Sequence, residues 1–167
     1  MITKIRCTFK LLFFALLCVS YFLIGFIPSL FVDIFPYFSR KILIRNISFH
    51  TGIMMFVFGF KVKITGNAKN LKDKETKLIV SNHLSYLDVL VLSPIKPACY
   101  VTSVEVKETP FLGHLAKLGG CLFVERRDKS KIYEEVRNLQ NSMKHGLVIA
   151  VFPEATSTNG EEVKNFK

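Results

Sequence analysis

Residues 77–88 read KLIVSNHLSYLD, a short β-branched run that passes through a polar turn into the opening of a helix. The run 77–81 predicts a strand, and 86–92 predicts a short helix stopped by Pro94. Strand, turn and helix in direct succession form the repeating unit of a layered α/β domain, and the same grammar extends in both directions. Upstream, 66–75 is a polar loop and 61–65 (KVKIT) alternates with period two as a further strand. Downstream, 100–103 predicts a strand, 111–118 a helix ended by Gly119-Gly120, and 121–124 another strand. Ser130 is placed to cap a helix with Ile132, Val136, Leu139 and Met143 on one face, and Gly146 stops it before 147–152 (LVIAVF), a buried strand. This order predicts an α/β fold with a largely parallel sheet.

The chain before residue 61 has a different character. Residues 11–32 (LLFFALLCVSYFLIGFIPSLFV) carry no charge over twenty-two positions, enough to cross a hydrocarbon core of roughly 30 Å. Lys4, Arg6 and Lys10 make a basic leader, but the apolar run continues well past the small-residue site at Cys18-Val19-Ser20, so an uncleaved anchor is favoured over a signal peptide. Pro28 can break a helix, and the second apolar stretch, 47–60, is too short to span comfortably. One spanning helix and a pair of helices dipping into one leaflet both fit. Arg40, Lys41 and Arg45 balance the leader, so charge does not orient the segment. The composition places 1–60 as a membrane-anchoring segment of one or two apolar helices and 61–167 as the α/β domain.

Twenty-three Lys and Arg against thirteen Asp and Glu give a net charge of +10, which suits nucleic acid, an anionic membrane or a phosphorylated substrate. Its distribution decides against nucleic acid. Six basic residues and only Asp33 precede Lys61, beside the apolar segment where basic residues at a membrane face are expected, and no nucleic-acid motif is present. Cys7, Cys18, Cys99 and Cys121 lack the spacing of a zinc site and the density of a disulfide scaffold. A reducing compartment follows, and no metal site is expected.

In parallel sheets chemistry gathers where the chain leaves the carboxyl ends of strands. The first such exit carries Asn82, His83 and Asp88. Residues five apart on one helix point away from each other, so His83 and Asp88 meet only if His83 lies in the turn and Asp88 in the helix. Asp88 would then fix the imidazole tautomer and leave the other nitrogen free to take a proton from a hydroxyl. Ser85 and Asp88 also form the S-x-x-D pattern that closes a helix start, so catalysis and capping stay open together. The second exit, GCLFVERR, offers Arg126 and Arg127 as a fork for a phosphate, or as part of a solvated charge cluster with Glu125 and Asp128. The third, 152–160 (FPEATSTNG), crowds hydroxyls and backbone N–H groups into a turn that suits an anion, or serves only as a turn. Cys121 reads as a small buried hydrophobe.

Taken together, NHLSYLD, GCLFVERR and FPEATSTNG resemble the blocks of the glycerolipid acyltransferases, whose members with a short N-terminal membrane segment include the 1-acylglycerol-3-phosphate acyltransferases. The resemblance covers roughly residues 79–160. It implies that His83 is the general base removing the proton from the acceptor hydroxyl, with Asp88 orienting it. It places Asn82, Arg126, Phe152, Pro153, Glu154 and Thr156 at the acceptor site, with Arg126 on the acceptor's phosphate. It also implies direct attack on an acyl thioester, from acyl-CoA or acyl-carrier protein as co-substrate, without metal or cofactor. The expected product is phosphatidic acid, made on the cytoplasmic side of a membrane.

Three departures from the family pattern bear on this expectation. Ala155 stands where the third block usually has glycine, and Ser157 where many members carry a basic residue. Other acceptors, such as a lyso-ornithine lipid, therefore stay open beside lysophosphatidic acid. The chain ends at Lys167, seven residues after the third block, which reads as an incomplete C-terminus; a membrane or lipid-binding module without activity is the corresponding alternative. Oligomeric state is not legible.

Overall fold

In the computed structural model of the protein, the described residues are 2–67, 69–73, 75, 78–154 and 161–166. Two long helices, α1 (Ile2–Leu30) and α2 (Pro36–Phe58), form an antiparallel hairpin. Pro28 does not break α1. It sits in the last turn, where the lost backbone bond costs least, and its carbonyl accepts the Phe31 N–H to start the turn into α2. Pro36 opens α2 at a position where a missing N–H would be unpaired anyway. Gly59, in the left-handed region at φ 75°, closes it: Gly59 donates to the Phe56 carbonyl and Phe60 to that of Met55, the two bonds of a Schellman end. One described helix, over Lys4–Leu30, is long and apolar enough to cross a membrane.

Polar groups join the two helices. Asn46 Nδ2 donates to the Tyr21 carbonyl at 3.0 Å, and His50, only 6% exposed, pairs its Nε2 with the Ser20 hydroxyl at 3.0 Å and its Nδ1 with the Asn46 carbonyl. His50 is thus a structural bridge between helices.

The remainder alternates helix and strand: α3 (Lys69–Lys72), β1 (Leu78–Val80), α4 (Leu87–Ile95), β2 (Cys99–Ser103), α5 (Val104–Glu108), α6 (Leu112–Leu118), β3 (Leu122–Val124), α7 (Ile132–Lys144) and β4 (Ile149–Val151). The four strands among the described residues are parallel in the order β1-β4-β2-β3, with Val80 opposite Val151, Cys99 opposite Ile149 and Ser103 opposite Val124. The expected α/β class and parallel sheet are observed. The central strands are covered on both faces. On one, Cys99, Leu147 and Ile149 pack with Ile44 of α2, backed by Leu139 and Met143 of α7; on the other, Ala98, Tyr100 and Ala150 pack with Val89 and Leu92 of α4 and with Phe152. The apolar hairpin is therefore part of the sheet's core.

Several local expectations are corrected. Residues 61–65 form no strand: the chain there leaves α2 without a ladder partner, with Val62 and Ile64 exposed. Alternation alone makes no strand where no neighbour is available. The helix expected to stop before Pro94 runs through it to Ile95, because the proline again lies in the final turn. Pro97 then leaves the Ser93 carbonyl without its i+4 donor, and the Ser48 hydroxyl of α2 supplies the hydrogen bond at 2.7 Å. Ser130 does not cap α7; its hydroxyl and N–H both turn to Asp128 Oδ1, and a 3-10 turn over Lys129–Lys131 leads into the helix. Helix α5 was not anticipated, nor was the short α3 inside the polar loop.

Candidate functional site

The strand β1 ends at Val80, and the chain bends through residues 81–86 before α4 begins at Leu87. This bend brings His83 back over the first turn of the helix, with Nδ1 2.8 Å from Asp88 Oδ2. The same oxygen accepts the backbone N–H of Leu84 at 2.7 Å and of Ser85 at 3.0 Å, while the Ser85 hydroxyl accepts the N–H of Leu87. Capping and dyad are therefore one structure: the carboxylate that takes the Leu84 and Ser85 N–H groups ahead of the helix is the one that meets the imidazole. Partial burial pushes the Asp88 carboxyl up, but the Ser85 and Leu84 N–H groups and the pairing with His83 outweigh it, holding the group below the usual carboxylate range. An ionised carboxylate only accepts, so Nδ1 is the donor of this bond, and in a neutral imidazole Nε2 is then the nitrogen with the lone pair.

Two residues from the β4 exit complete the setting of His83. Phe152 stacks on the imidazole, with ring centroids 4.3 Å apart and planes 21° from parallel. Glu154 is 1% exposed, and its carboxylate engages backbone donors: Oε1 takes the His83 N–H and Oε2 the Lys164 N–H, both at 3.3 Å. Hydrogen bonds of this kind offset the cost of burying a charge, and here they tie the β4 exit to the turn that bears His83. Asn82 is exposed in that turn, its carbonyl accepting the Ser81 hydroxyl. Thr156, with the rest of 155–160, lies outside the described residues.

Phe152 and Pro153 also line a groove of about 630 Å³ at the carboxyl ends of β2, β3 and β4, and Arg126 and Arg127 line the same groove. Val101, Val124, Ile132, Val136 and Leu139 give the groove an apolar wall. Arg126, Phe152 and Pro153 thus line one groove, while Asn82, His83 and Glu154 do not belong to its lining.

Sequence reasoning passed over Glu105, which stands at the exit of β2, in the first turn of α5. Its Oε1 lies 2.8 Å from Arg127 Nε and its Oε2 3.9 Å from Arg126 Nη2. The signal was available, because β2 was expected and its exit is as privileged as the other three. The neighbouring Ser103 hydroxyl, the residue's own N–H and the two arginines hold the Glu105 carboxyl below the usual range. Cys121, by contrast, is not poised for chemistry: burial pushes its thiol up to about 12.

A sequence model of the Acyltransferase family matches residues 61–167. Among curated proteins, a lyso-ornithine lipid O-acyltransferase of Rhizobium meliloti is 30% identical over 115 residues, covering 69% of this chain and 38% of that protein. A Mycoplasma genitalium protein, named "Probable 1-acyl-sn-glycerol-3-phosphate acyltransferase", is 31% identical over 161 residues, covering 88% of this chain and 58% of its own. The chain thus spans between about two fifths and three fifths of these relatives. Among solved structures, the 1-acyl-sn-glycerophosphate acyltransferase PlsC of Thermotoga maritima superposes with a TM-score of 0.56 at 19% identity, over 95% of this chain and 67% of that one. That likeness establishes the fold.

Proposed function

The chain belongs to the acyltransferase family, and on that premise we propose that it moves a fatty acyl group from an acyl thioester to the free hydroxyl of a lyso-lipid at a membrane. The observation that carries this reading is the His83 Nδ1 to Asp88 Oδ2 pair at 2.8 Å, with the carboxylate fixed by two backbone N–H groups. With Nδ1 donating to Asp88, the neutral form of the imidazole offers Nε2 as a proton acceptor. The acceptor hydroxyl, far too weak an acid to ionise alone, gives its proton to Nε2 as its oxygen attacks the thioester carbonyl. The new C–O bond forms, the C–S bond breaks, and the proton passes from His83 to the leaving thiolate. Asp88 stabilises the imidazolium that forms transiently.

The groove beside Phe152 supports the same reading, because it joins an apolar wall to a pair of arginines, as an amphiphile with a charged head group requires. The long apolar helix α1 fits delivery of such substrates from a bilayer, with acyl-CoA or acyl-carrier protein as the donor from the aqueous side. Relatives are named for 1-acyl-sn-glycerol 3-phosphate and for lyso-ornithine lipid, and both are acceptors to offer. The test is acyl transfer from labelled acyl-CoA in membranes bearing the 167-residue chain. His83→Ala is expected to lower the rate by on the order of 100- to 10,000-fold while membrane attachment stays intact; transfer that survives the substitution would sink the proposal.

A further inference from the structure

A second cleft, of about 350 Å³, lies between the start of α2, strand β3 and α7. Arg40 of α2, Lys107 of α5 and Lys117 of α6 line it, and none of these cations is in an ion pair among the described residues. Arg40 is half-buried: its Nη1 donates to the Pro36 carbonyl at 3.2 Å, while its Nε is enclosed without a hydrogen-bond partner. Its charge is thus partly dehydrated with no carboxylate paired to it, a state that a nearby anion relieves. Lys107 is exposed, with Nζ 5.8 Å from the centroid of the Phe123 ring, which lines the same cleft. Two acids line it as well: Asp33 is exposed, and Glu135 Oε1 already takes the Glu125 N–H. Three positive charges against two negative leave an excess of one, which suits a ligand bearing a single negative charge. A phosphodiester is such a ligand.

The turn from α1 into α2 indicates the source of that phosphodiester. Val32, Asp33, Pro36 and Tyr37 line the cleft, whereas Phe31, Ile34, Phe35 and Phe38, which flank them in sequence, are 45–68% exposed. One short stretch therefore turns four large apolar side chains outward and lines a cationic cleft with the residues between. A bilayer offers the matching profile at one depth, where the acyl chains meet the phosphates.

We propose that this cleft holds the phosphodiester of an anionic membrane phospholipid, with Arg40, Lys107 and Lys117 around the phosphate and Phe31, Ile34, Phe35 and Phe38 in the acyl layer beside it. The cleft shares Glu135 with the groove that holds Arg126, but neither Arg126 nor His83 lines it. Occupation of this site is therefore independent of acyl transfer.

The experiment titrates the purified full chain, in micelles of a non-ionic detergent, with short-chain phosphatidylglycerol and short-chain phosphatidylcholine. Native mass spectrometry counts the bound lipid, and inorganic phosphate and coenzyme A are added as soluble competitors. Wild type is expected to hold one phosphatidylglycerol roughly tenfold more tightly than phosphatidylcholine, and Lys107→Gln/Lys117→Gln to lose that preference. Lys107→Gln alone, at an exposed position, should lose part of it, and Arg40 is left in place because it is packed beneath the turn. Lys61→Gln/Lys63→Gln removes the same charge from exposed positions beyond α2 and should bind as wild type does. An equal loss in that control pair would mean attraction by overall charge and overturn the site. Equal affinity for the two lipids in wild type, or a preference that Lys107→Gln/Lys117→Gln leaves unmoved, would overturn it too. Displacement of the lipid by inorganic phosphate or coenzyme A would assign the cleft to a soluble phosphate and overturn the lipid assignment.

Discussion

Phe152 lies close to parallel with His83, with ring centroids 4.3 Å apart and planes at 21°, and the Tyr100 ring is in turn nearly parallel to Phe152 at 6.0 Å and 12°. The Asp88 bond fixes which edge of the imidazole faces the helix, whereas the stack fixes the plane in which Nε2 points. The two restraints come from different residues, so they are separable by substitution. Phe152→Leu keeps most of the apolar volume and is expected to cost less than about 1.5 kcal/mol of stability. It should nevertheless lower kcat for acyl transfer with little change in the KM for acyl-CoA. Steady-state kinetics on the purified variant checks this, and an unchanged kcat would mean that the stack has no part in aiming the base.

Asp88 makes stability depend on acid. Its folded pKa is depressed, so its contribution is fully present above the ordinary aspartate value of about 3.9 and is lost as pH falls through the folded value. Asp88→Asn is expected to be less stable than wild type at pH 7, with the gap closing toward pH 3 because the protonated wild type no longer offers a charged acceptor. Urea midpoints in detergent micelles across that range test it. A gap independent of pH would place the loss elsewhere than in the charge.

Ser48 supplies the Ser93 carbonyl with the donor that Pro97 lacks. Ser48→Ala leaves that carbonyl at a fully buried residue without a partner, at a cost of about 1–3 kcal/mol. Ser48→Thr, which keeps the hydroxyl, should lose less. Thermal unfolding of the two variants side by side gives the comparison.

Gly120 stands at φ 74°, and a Cβ there would lie 3.0 Å from Ile44 Cγ2 and 3.2 Å from Leu43 Cβ. Gly120→Ala should therefore combine a left-handed strain of about 1–2 kcal/mol with displacement of α2 from the start of β3. The expected result is a lowered Tm, together with faster proteolysis in the 59–67 segment as the hairpin loosens. A Tm equal to that of wild type would show that the helix gives way without cost.

The sheet was legible because its central strands are β-branched runs bounded by glycine, proline and polar turns, and such runs have few alternatives once both faces are buried. The dyad was legible because His83 and Asp88 are local in sequence and a strand-turn-helix bend brings them together. What failed was information held elsewhere in the molecule. The KVKIT segment has strand periodicity, but no sheet edge lies beside it. Ser130 has the chemistry of a cap, yet Asp128 two residues earlier competes for the same hydrogen bonds and captures it. Glu105 was missed because a single acid after a strand looks like surface until Arg126 and Arg127 arrive from β3. The merging of α2 with the sheet was hidden as well, since Ile44 reads as one more apolar residue in an apolar stretch.

That placement of Ile44 against Cys99, Leu147 and Ile149 orders events at birth. The hairpin leaves the ribosome long before β4 is made, so β4 joins a core whose lid has already been delivered. If the hairpin goes to lipid, the strands must pair at the bilayer surface, and a polypeptide starting at residue 61 would leave those three side chains covered by Leu139 and Met143 of α7 but open on the side that Ile44 closes. Sorting and folding of this protein are then a single process, and an error in the first would surface as aggregation in the second.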